Sequence, residues 1–492
     1  MNHKGRVTKI IGLILTIAML AVSLYAVKRL SDTGLLPAMY IRVAIAGVFV
    51  VFIFLVFMLR WKISRIVSII LSAAIIVAIV VFGIKYIDRT NEMLENVTGA
   101  QTQVDIVDFY VRADDKAESL NDLKDYEFGI LEALDRENTD KALKDINDKL
   151  GTDVKTKSYN TIFELADAIL NKECGAIVLN RGYLGMITDE ETYADFAEKT
   201  KVISGFTIET VVKEVYTEEV DPESDAFVVY ISGIDTHGPV SVKSRSDVNI
   251  IAVINPTTKE LLLVSTPRDY YVPLSISGGV KDKLTHAGNY GIDVSMDTLG
   301  MLYGIDVEYY FRINFTGFVN VIDALGGINV YSDYAFEGGG YTFQKGYNQL
   351  DGKQALAFAR ERYAFSQGDR QRGRNQMAVI SAVIEKLTST SGILNSYMDL
   401  MASLESSFQT NMSQTMLGAI VSAQLENGSG WHISRYSVNG TDSNAVTFSI
   451  PEPKYVMEPD MDTVNKAVEL IKKVVDGGVL TEADLAEETE VN

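Results

Sequence analysis

Cysteine is almost absent from this 492-residue chain: Cys174 stands alone, which excludes an internal disulfide framework and any cysteine-built zinc module. Histidine is nearly as scarce, and His3, His237, His286 and His432 leave little material for a histidine metal site. Positive charge is short too, with 45 Lys/Arg against 65 Asp/Glu and a formal net charge of −20. That deficit is uneven. Residues 1–86 carry ten Lys/Arg and one Asp, so the rest carries 35 against 64. A body that acidic is poorly suited to gripping nucleic acid, where binding depends on neutralising phosphates. No internal repeat is evident. Hydrophobic residues, by contrast, make up 47% of the chain and charged residues 22%, which excludes global disorder.

The apolar content is concentrated at the start. Ile10–Val27, Val43–Leu59 and Ile66–Ile84 run for 18, 17 and 19 residues without a charge. A helix needs about 20 mainly apolar residues to cross a bilayer. Three transmembrane helices are therefore expected within residues 1–86. The first run could be a secretory signal, but the other two could not, and no small-residue cleavage site follows Val27. Lys4, Arg6 and Lys9 before the first run, and Arg60, Lys62 and Arg65 between the second and third, predict a cytoplasmic N-terminus. Everything beyond Ile84 then lies outside the cell. Lys28, Arg29 and Arg42 fall on the opposite side in this arrangement.

Residues 87–104 read as a linker. A strand–helix alternation follows over 105–222, with strands at Val104–Val111, Glu127–Leu131, Asp153–Ser158 and Ala176–Asn180. Helical spacing appears at Thr139–Leu150, Ile162–Leu170 and Glu190–Lys199. This is a small α/β accessory domain without a phosphate-binding glycine loop or an acid–base constellation. A second domain spans 225–480, and an acidic tail spans 481–492. Its strands are Phe227–Gly233, Asn249–Ile254, Glu260–Ser265, Val307–Ile313 and Trp431–Val438. Its helices are Met296–Tyr303, Gly317–Leu325, Gly352–Arg362, Arg374–Leu387 and Met412–Glu426. Long helices against a mixed sheet predict an αβα-layered fold.

Polar signals gather where these strands end. Asp235 follows the first strand, Ser244-Arg245-Ser246-Asp247 precedes the second, and Ser265-Thr266-Pro267-Arg268-Asp269 closes the third. Open α/β sheets place their sites at such ends. Downstream come Arg360, Arg362, Asp369, Arg370, Arg372, Arg374 and Gln376. The plain reading of so many arginines is solvated charge and carboxylate pairing, above all for Arg372. The functional reading is a polyanion site, because the guanidinium fork suits phosphate and two aspartates suit a hard divalent cation.

Five blocks carry a resemblance: Ser244–Asp247, Ser265–Asp269 with Lys283-Leu284-Thr285-His286-Ala287, Asn314–Phe318 with Leu325-Gly326-Gly327, Leu350–Gly352 with Ala355–Arg360, and the Arg/Gln run to Gln376. In that order they resemble the LytR–CpsA–Psr family over residues 225–390. Three spans followed by an accessory domain resemble its capsule-associated CpsA branch. The resemblance implies a phosphotransferase that moves a glycan, capsular polysaccharide in this branch, from a polyprenyl-pyrophosphate carrier onto peptidoglycan as a phosphodiester. It implies Mg²⁺, with Mn²⁺ as the alternative ion, held by Asp235 and Asp247. It implies a pyrophosphate grip from Arg245, Arg268, Arg360, Arg362, Arg370, Arg374 and Gln376. Catalysis would fall to Asp247, Arg268 and Asp269, with Asp247 the first candidate base and Asp269 the second. The partners are the lipid-linked glycan, the peptidoglycan acceptor and the membrane, with no nucleic acid, in a Gram-positive-type envelope.

Two other readings use the same residues. A sensor of lipid-linked precursors would bind without turnover, although the short cytoplasmic segments hold no DNA-binding fold. A lipid-pyrophosphate hydrolase would use water as acceptor, and dependence on an acceptor separates it from a transferase. His286 and His237 lie near the motifs, and a lone histidine is more often structural than catalytic. Apolar residues of Gly317–Leu325 and Gln376–Leu387 are candidates to line an isoprenoid site, or are plain core.

Overall fold

The computed structural model describes residues 3–89, 92, 102–212, 220–222, 224–234, 239–366, 368–389, 408–428 and 430–486. The three apolar runs form helices α1 (His3–Asp32), α2 (Ala38–Met58) and α3 (Lys62–Ala78). The third continues through a π-helical turn, Ile79–Ile84. All three are long and apolar enough to cross a membrane. They present large apolar side chains such as Val50, Ile53 and Phe82 outward, as a bilayer-facing surface requires.

The first α/β unit is a five-stranded sheet. Its strands are β1 (Thr102–Arg112), β2 (Glu127–Leu131), β3 (Lys155–Tyr159), β4 (Ala176–Asn180) and β5 (Thr200–Val211), in the order β3-β2-β4-β1-β5. Helices α4 (Arg136–Leu150) and α5 (Ile162–Leu170) pack their buried stripes, Ala142/Ile146 and Leu165/Ile169, in separate core clusters. Strand β1 begins inside the expected linker. The helix expected over Glu190–Lys199 is instead two short turns, Glu191–Tyr193 and Phe196–Lys199. Strand β5 was not foreseen.

The second unit is built on a six-stranded mixed sheet. It contains β6 (Phe227–Ile234), β7 (Ser246–Asn255), β8 (Glu260–Ser265), β9 (Tyr309–Asn314), β10 (Phe408–Thr410) and β11 (His432–Ser437), in the order β10-β9-β6-β7-β8-β11. One face carries Tyr230, Ile251 and Leu262 against α6 (Ile292–Tyr303) and a C-terminal helix, Met461–Val475. The other carries Val229, Ile250 and Leu263 against Met377 and Met416 of two further helices. The expected αβα layering is therefore what forms. Strand β7 runs antiparallel to both β6 and β8, whereas β9 is parallel to β6 and β11 is parallel to β8. The start of β7 and the ends of β6, β8, β9 and β11 thus share one edge of the sheet. A third layer of α7 (Phe315–Ala324), α8 (Gly352–Arg360) and α9 (Asp369–Thr388) packs around Ile322, Phe358 and Val379.

The two α/β units are stitched together. Val104 N–H donates to Ser241 O at 2.8 Å, and Lys243 N–H to Val104 O at 2.8 Å. Lys243 Nζ meets buried Asp105 at 2.8 Å, and Ile292 N–H donates to Gln103 Oε1 at 2.8 Å.

Candidate active site

A narrow cleft lies on that shared edge. Asp247 comes from the start of β7, and Ser265, Thr266, Pro267 and Arg268 from the end of β8. Ser437 and Val438 come from the end of β11, and Asp369, Arg370, Arg372, Gly373 and Gln376 from the first two turns of α9. Positions 369, 372, 373 and 376 lie on one stripe of a 3.6-residue helix. Position 373 is glycine, and a Cβ there would sit 2.7 Å from Ser265 Oγ, a contact that a turn of the serine side chain relieves.

Arg268 is the hub of the cleft. Its guanidinium reaches Asp247 Oδ1 at 2.8 Å, Asp189 Oδ2 at 3.2 Å and Asp269 Oδ2 at 3.5 Å. Burial opposes its charge, yet Asp247, Asp269 and Asp189 together raise its pKa. Burial would likewise raise the Asp247 carboxyl, but Arg268, Arg372 and Arg245 outweigh it and hold Asp247 below the ordinary carboxylate range. Asp269 behaves similarly, with Lys283 at 3.1 Å and Arg268 overcoming its burial. Asp369 differs. Burial lifts its carboxyl above the ordinary range despite its ion pair with Arg372, and the charges of Asp269 and Asp247 add to the rise.

The expected residues divide clearly. Asp247, Arg268, Arg370 and Gln376 line the cleft. Arg245 stands beside it, buried and paired with Asp189, which also contacts Arg268. Asp269 is not among the lining residues: it sits behind Arg268, clamped by Lys283, as a counter-ion rather than an exposed base. Arg360 lies over the Phe315 ring at 4.3 Å, and Arg362 donates to the Tyr363 hydroxyl at 2.6 Å. Arg374 is also absent from the lining and lies off the stripe formed by positions 369, 372, 373 and 376. Arg372, read from sequence as a bystander, takes that place: it is buried, lines the cleft and bears on Asp247. Asp235 and His237 lie outside the described residues. His286 is structural, with Nδ1 2.7 Å from Asp282 Oδ1 and both groups buried. The Gln376–Gly373–Arg372 stripe was detectable from helical spacing; Asp189, 56 residues before Arg245 and in the other unit, carried no sequence signal.

Among the described residues no group of three or more His, Cys, Asp and Glu side chains forms a metal cluster. Mg²⁺ does not require one, since it keeps several waters and commonly binds through one or two carboxylates plus substrate phosphates. The ionised, cleft-lining Asp247 is a hard oxygen donor of that kind.

The LytR_cpsA_psr family profile matches residues 186–462. Curated relatives with the name polyisoprenyl-teichoic acid–peptidoglycan teichoic acid transferase TagU include one from Bacillus cereus, 34% identical over 41% of this chain and 66% of its own length. Another, from Bacillus subtilis, is 34% identical over 46% of this chain and 72% of its own length. The match thus spans about two thirds of these relatives. Among solved structures, B. subtilis TagV superposes with a TM-score of 0.44 and 28% identity, over 51% of this chain and 98% of its own.

Proposed function

The chain belongs to the LytR–CpsA–Psr family, and from that premise we propose that it is a membrane-anchored phosphotransferase that moves a glycan from a polyprenyl-pyrophosphate carrier onto peptidoglycan. One observation carries the reading. Arg268, Arg370 and Arg372 surround a single cleft at a strand edge, with ionised Asp247 among them. Clustered guanidiniums in a partly buried cleft suit a diphosphate better than any neutral ligand. The curated relatives' names, which pair a polyisoprenyl-linked glycan with peptidoglycan, support the same chemistry. The donor glycan in this reading is capsular polysaccharide, in line with the resemblance of three apolar helices and an added α/β unit to the capsule-associated branch.

The acceptor is a sugar hydroxyl of peptidoglycan. Its oxygen attacks the sugar-proximal phosphorus, the bond from that phosphorus to the bridging oxygen breaks, and polyprenyl phosphate leaves with the bond's electrons. The glycan ends as a phosphodiester. Arg268, Arg370 and Arg372 bind the diphosphate and stabilise the charge gathering on the leaving phosphate. Mg²⁺, with Mn²⁺ as the alternative, would be held by Asp247 and by Asp235 and would supply further neutralisation of the diphosphate. The hydroxyl proton needs a base within hydrogen-bond reach. Asp247 and Asp269 are poor choices, held low by their cations, whereas burial makes Asp369 a stronger base, and it faces the cleft. The isoprenoid is assigned to the half-buried apolar surface of Phe318 and Val321 on α7 and Val383 and Leu387 on α9.

The N-terminus is cytoplasmic in this reading and both α/β units face the envelope, which sets the cleft beside a membrane-borne donor. The test is the full chain in nanodiscs with labelled polyprenyl-pyrophosphate oligosaccharide, Mg²⁺ and peptidoglycan fragments, followed by mass spectrometry. A phosphodiester-linked product supports the transferase. Lipid cleaved without attachment would make it a hydrolase, and lipid bound but intact would make it a sensor.

A further inference from the structure

Asp189 does not belong to the catalytic unit's sheet. It caps the C-terminal end of the short helix Leu184–Thr188, which follows β4 of the accessory unit. A carboxylate at that end meets the wrong pole of the helix dipole. Its reason for being there lies across the domain boundary. One carboxylate oxygen bonds Arg245 Nη1 and lies 3.2 Å from Arg268 Nη2, and the other lies 3.4 Å from Arg245 Nη2. Two guanidiniums therefore share one carboxylate, much as they would share a phosphate oxygen pair.

The approach has been made room for. Gly185, four residues earlier, lies so close to Arg245 that a Cβ would stand 2.6 Å from Nη2. The accessory helix is thus seated directly on the guanidinium. Neighbouring contacts hold it there: Glu190 pairs with Lys454 at 2.9 Å, and Lys454 lies 4.2 Å from the Phe163 ring.

Exposure separates Asp189 from the other carboxylates. Its side chain is 44% exposed, against 15% for Asp247 and 9% for Asp269. The inner two are built in, while Asp189 sits at the rim with an open path to solvent. A rotation about its own side-chain bonds would break its contacts to both arginines and free the cleft-facing Arg268, while the accessory helix stays seated on Arg245.

We infer that Asp189 is an intramolecular counter-ligand of the pyrophosphate site: the accessory unit lends a carboxylate that occupies Arg245 and Arg268 until an incoming diphosphate displaces it. The inference rests on the pyrophosphate reading of the cleft. It gives the accessory unit a task, which is to set the threshold at which anions enter. A neutral or singly charged ligand would not dislodge the carboxylate, whereas a diphosphate offers several oxygens to the same two cations.

The test is binding of inorganic pyrophosphate, with and without Mg²⁺, to the full chain in nanodiscs by calorimetry. Asp189→Asn keeps the shape and removes the charge. Losing one competing, partly screened charge a few ångströms from the ligand should tighten binding on the order of five- to tenfold. Measured against Arg268→Ala alone, adding Asp189→Asn should give a much smaller gain, because the effect acts largely through Arg268; a general loosening of the fold would not depend on it. Binding in Asp189→Asn equal to or weaker than in a wild type that does bind would overturn the counter-ligand role and leave the pyrophosphate reading standing. Absence of binding in wild type and variant alike would overturn both.

Discussion

Replacing Arg268 by alanine tests the electrostatic design of the cleft, and the structure sets both size and sign. Read from sequence, the substitution removes a phosphate contact and spares the fold. The structure adds a stability cost. Arg268 is 11% exposed and serves Asp247 and Asp269, which are 15% and 9% exposed. Removing one member of a buried pair costs about 3–5 kcal/mol, since a charge is left uncompensated. Arg372 and Lys283 remain to help, which favours the lower end, about 3 kcal/mol. For a domain of this size that is a fall of about 6–12 °C in melting temperature. The pH dependence follows from the carboxyls. Asp247 and Asp269 are held below the ordinary range, so their pairing stabilises the fold above about pH 4 and is lost as pH falls through their folded values. Without Arg268, burial is less opposed and both carboxyls rise, so the variant takes up protons at a higher pH than wild type. The stability gap is therefore widest near neutrality and narrows toward pH 4. Trp431, whose Nε1 donates to Gln424 at 2.9 Å, reports melting of this domain, and the only other tryptophan, Trp61, precedes membrane helix α3. A fall below about 2 °C, or a gap unchanged between pH 7.5 and pH 4.5, would refute this reasoning. Transfer activity should be lost at either pH.

Further outcomes are expected. Asp369→Asn should lower transfer by about 10²–10⁴-fold, and the wild-type rate should rise with pH through a carboxyl that burial has lifted; a variant with near-normal turnover would remove Asp369 as base. Gly373→Ala places a Cβ 2.7 Å from Ser265 Oγ; a turn of the serine side chain limits the destabilisation to about 1 kcal/mol, the low end for overpacking, and transfer should slow. Adding Ser265→Ala should recover part of both, and no recovery would show that the clash is not the cause. Asp247→Asn should raise the Mg²⁺ concentration needed for half-maximal rate, so an unchanged metal titration argues against a metal role. His286→Ala should lower the melting temperature by stranding buried Asp282, yet leave kcat/KM of the folded fraction unaltered; a selective loss of kcat would restore a direct role.

Much of the architecture was legible because it rests on local pattern. Glu127–Leu131, Ile162–Leu170, Ala176–Asn180 and Glu260–Ser265 form with the bounds their apolar runs suggest. The failures have physical causes. Strand β5 alternates half-buried and exposed residues at a sheet edge, so no continuous apolar run marks it. The helix Met461–Val475 did carry a signal, an Asp460 N-cap and buried Val464, Ala467, Ile471 and Val474 at helical spacing. Within the site, the family resemblance favoured Arg374 and the plain reading of charge set Arg372 aside, whereas the folded helix turns Arg372 into the cleft lining.

The sequence by itself determined the three apolar spans, the two α/β units and the strand ends at which Asp247 and Arg268 would meet, because hydrophobic periodicity and turn chemistry act over a few residues. Only the tertiary structure decided which charges share a dielectric. Desolvation and Coulomb attraction depend on burial and on distances of a few ångströms between residues far apart in the chain. That is why Asp269 became a counter-ion, why Asp369 rose while Asp247 fell, and why Asp189, from the segment after β4, ended on the two arginines of the site.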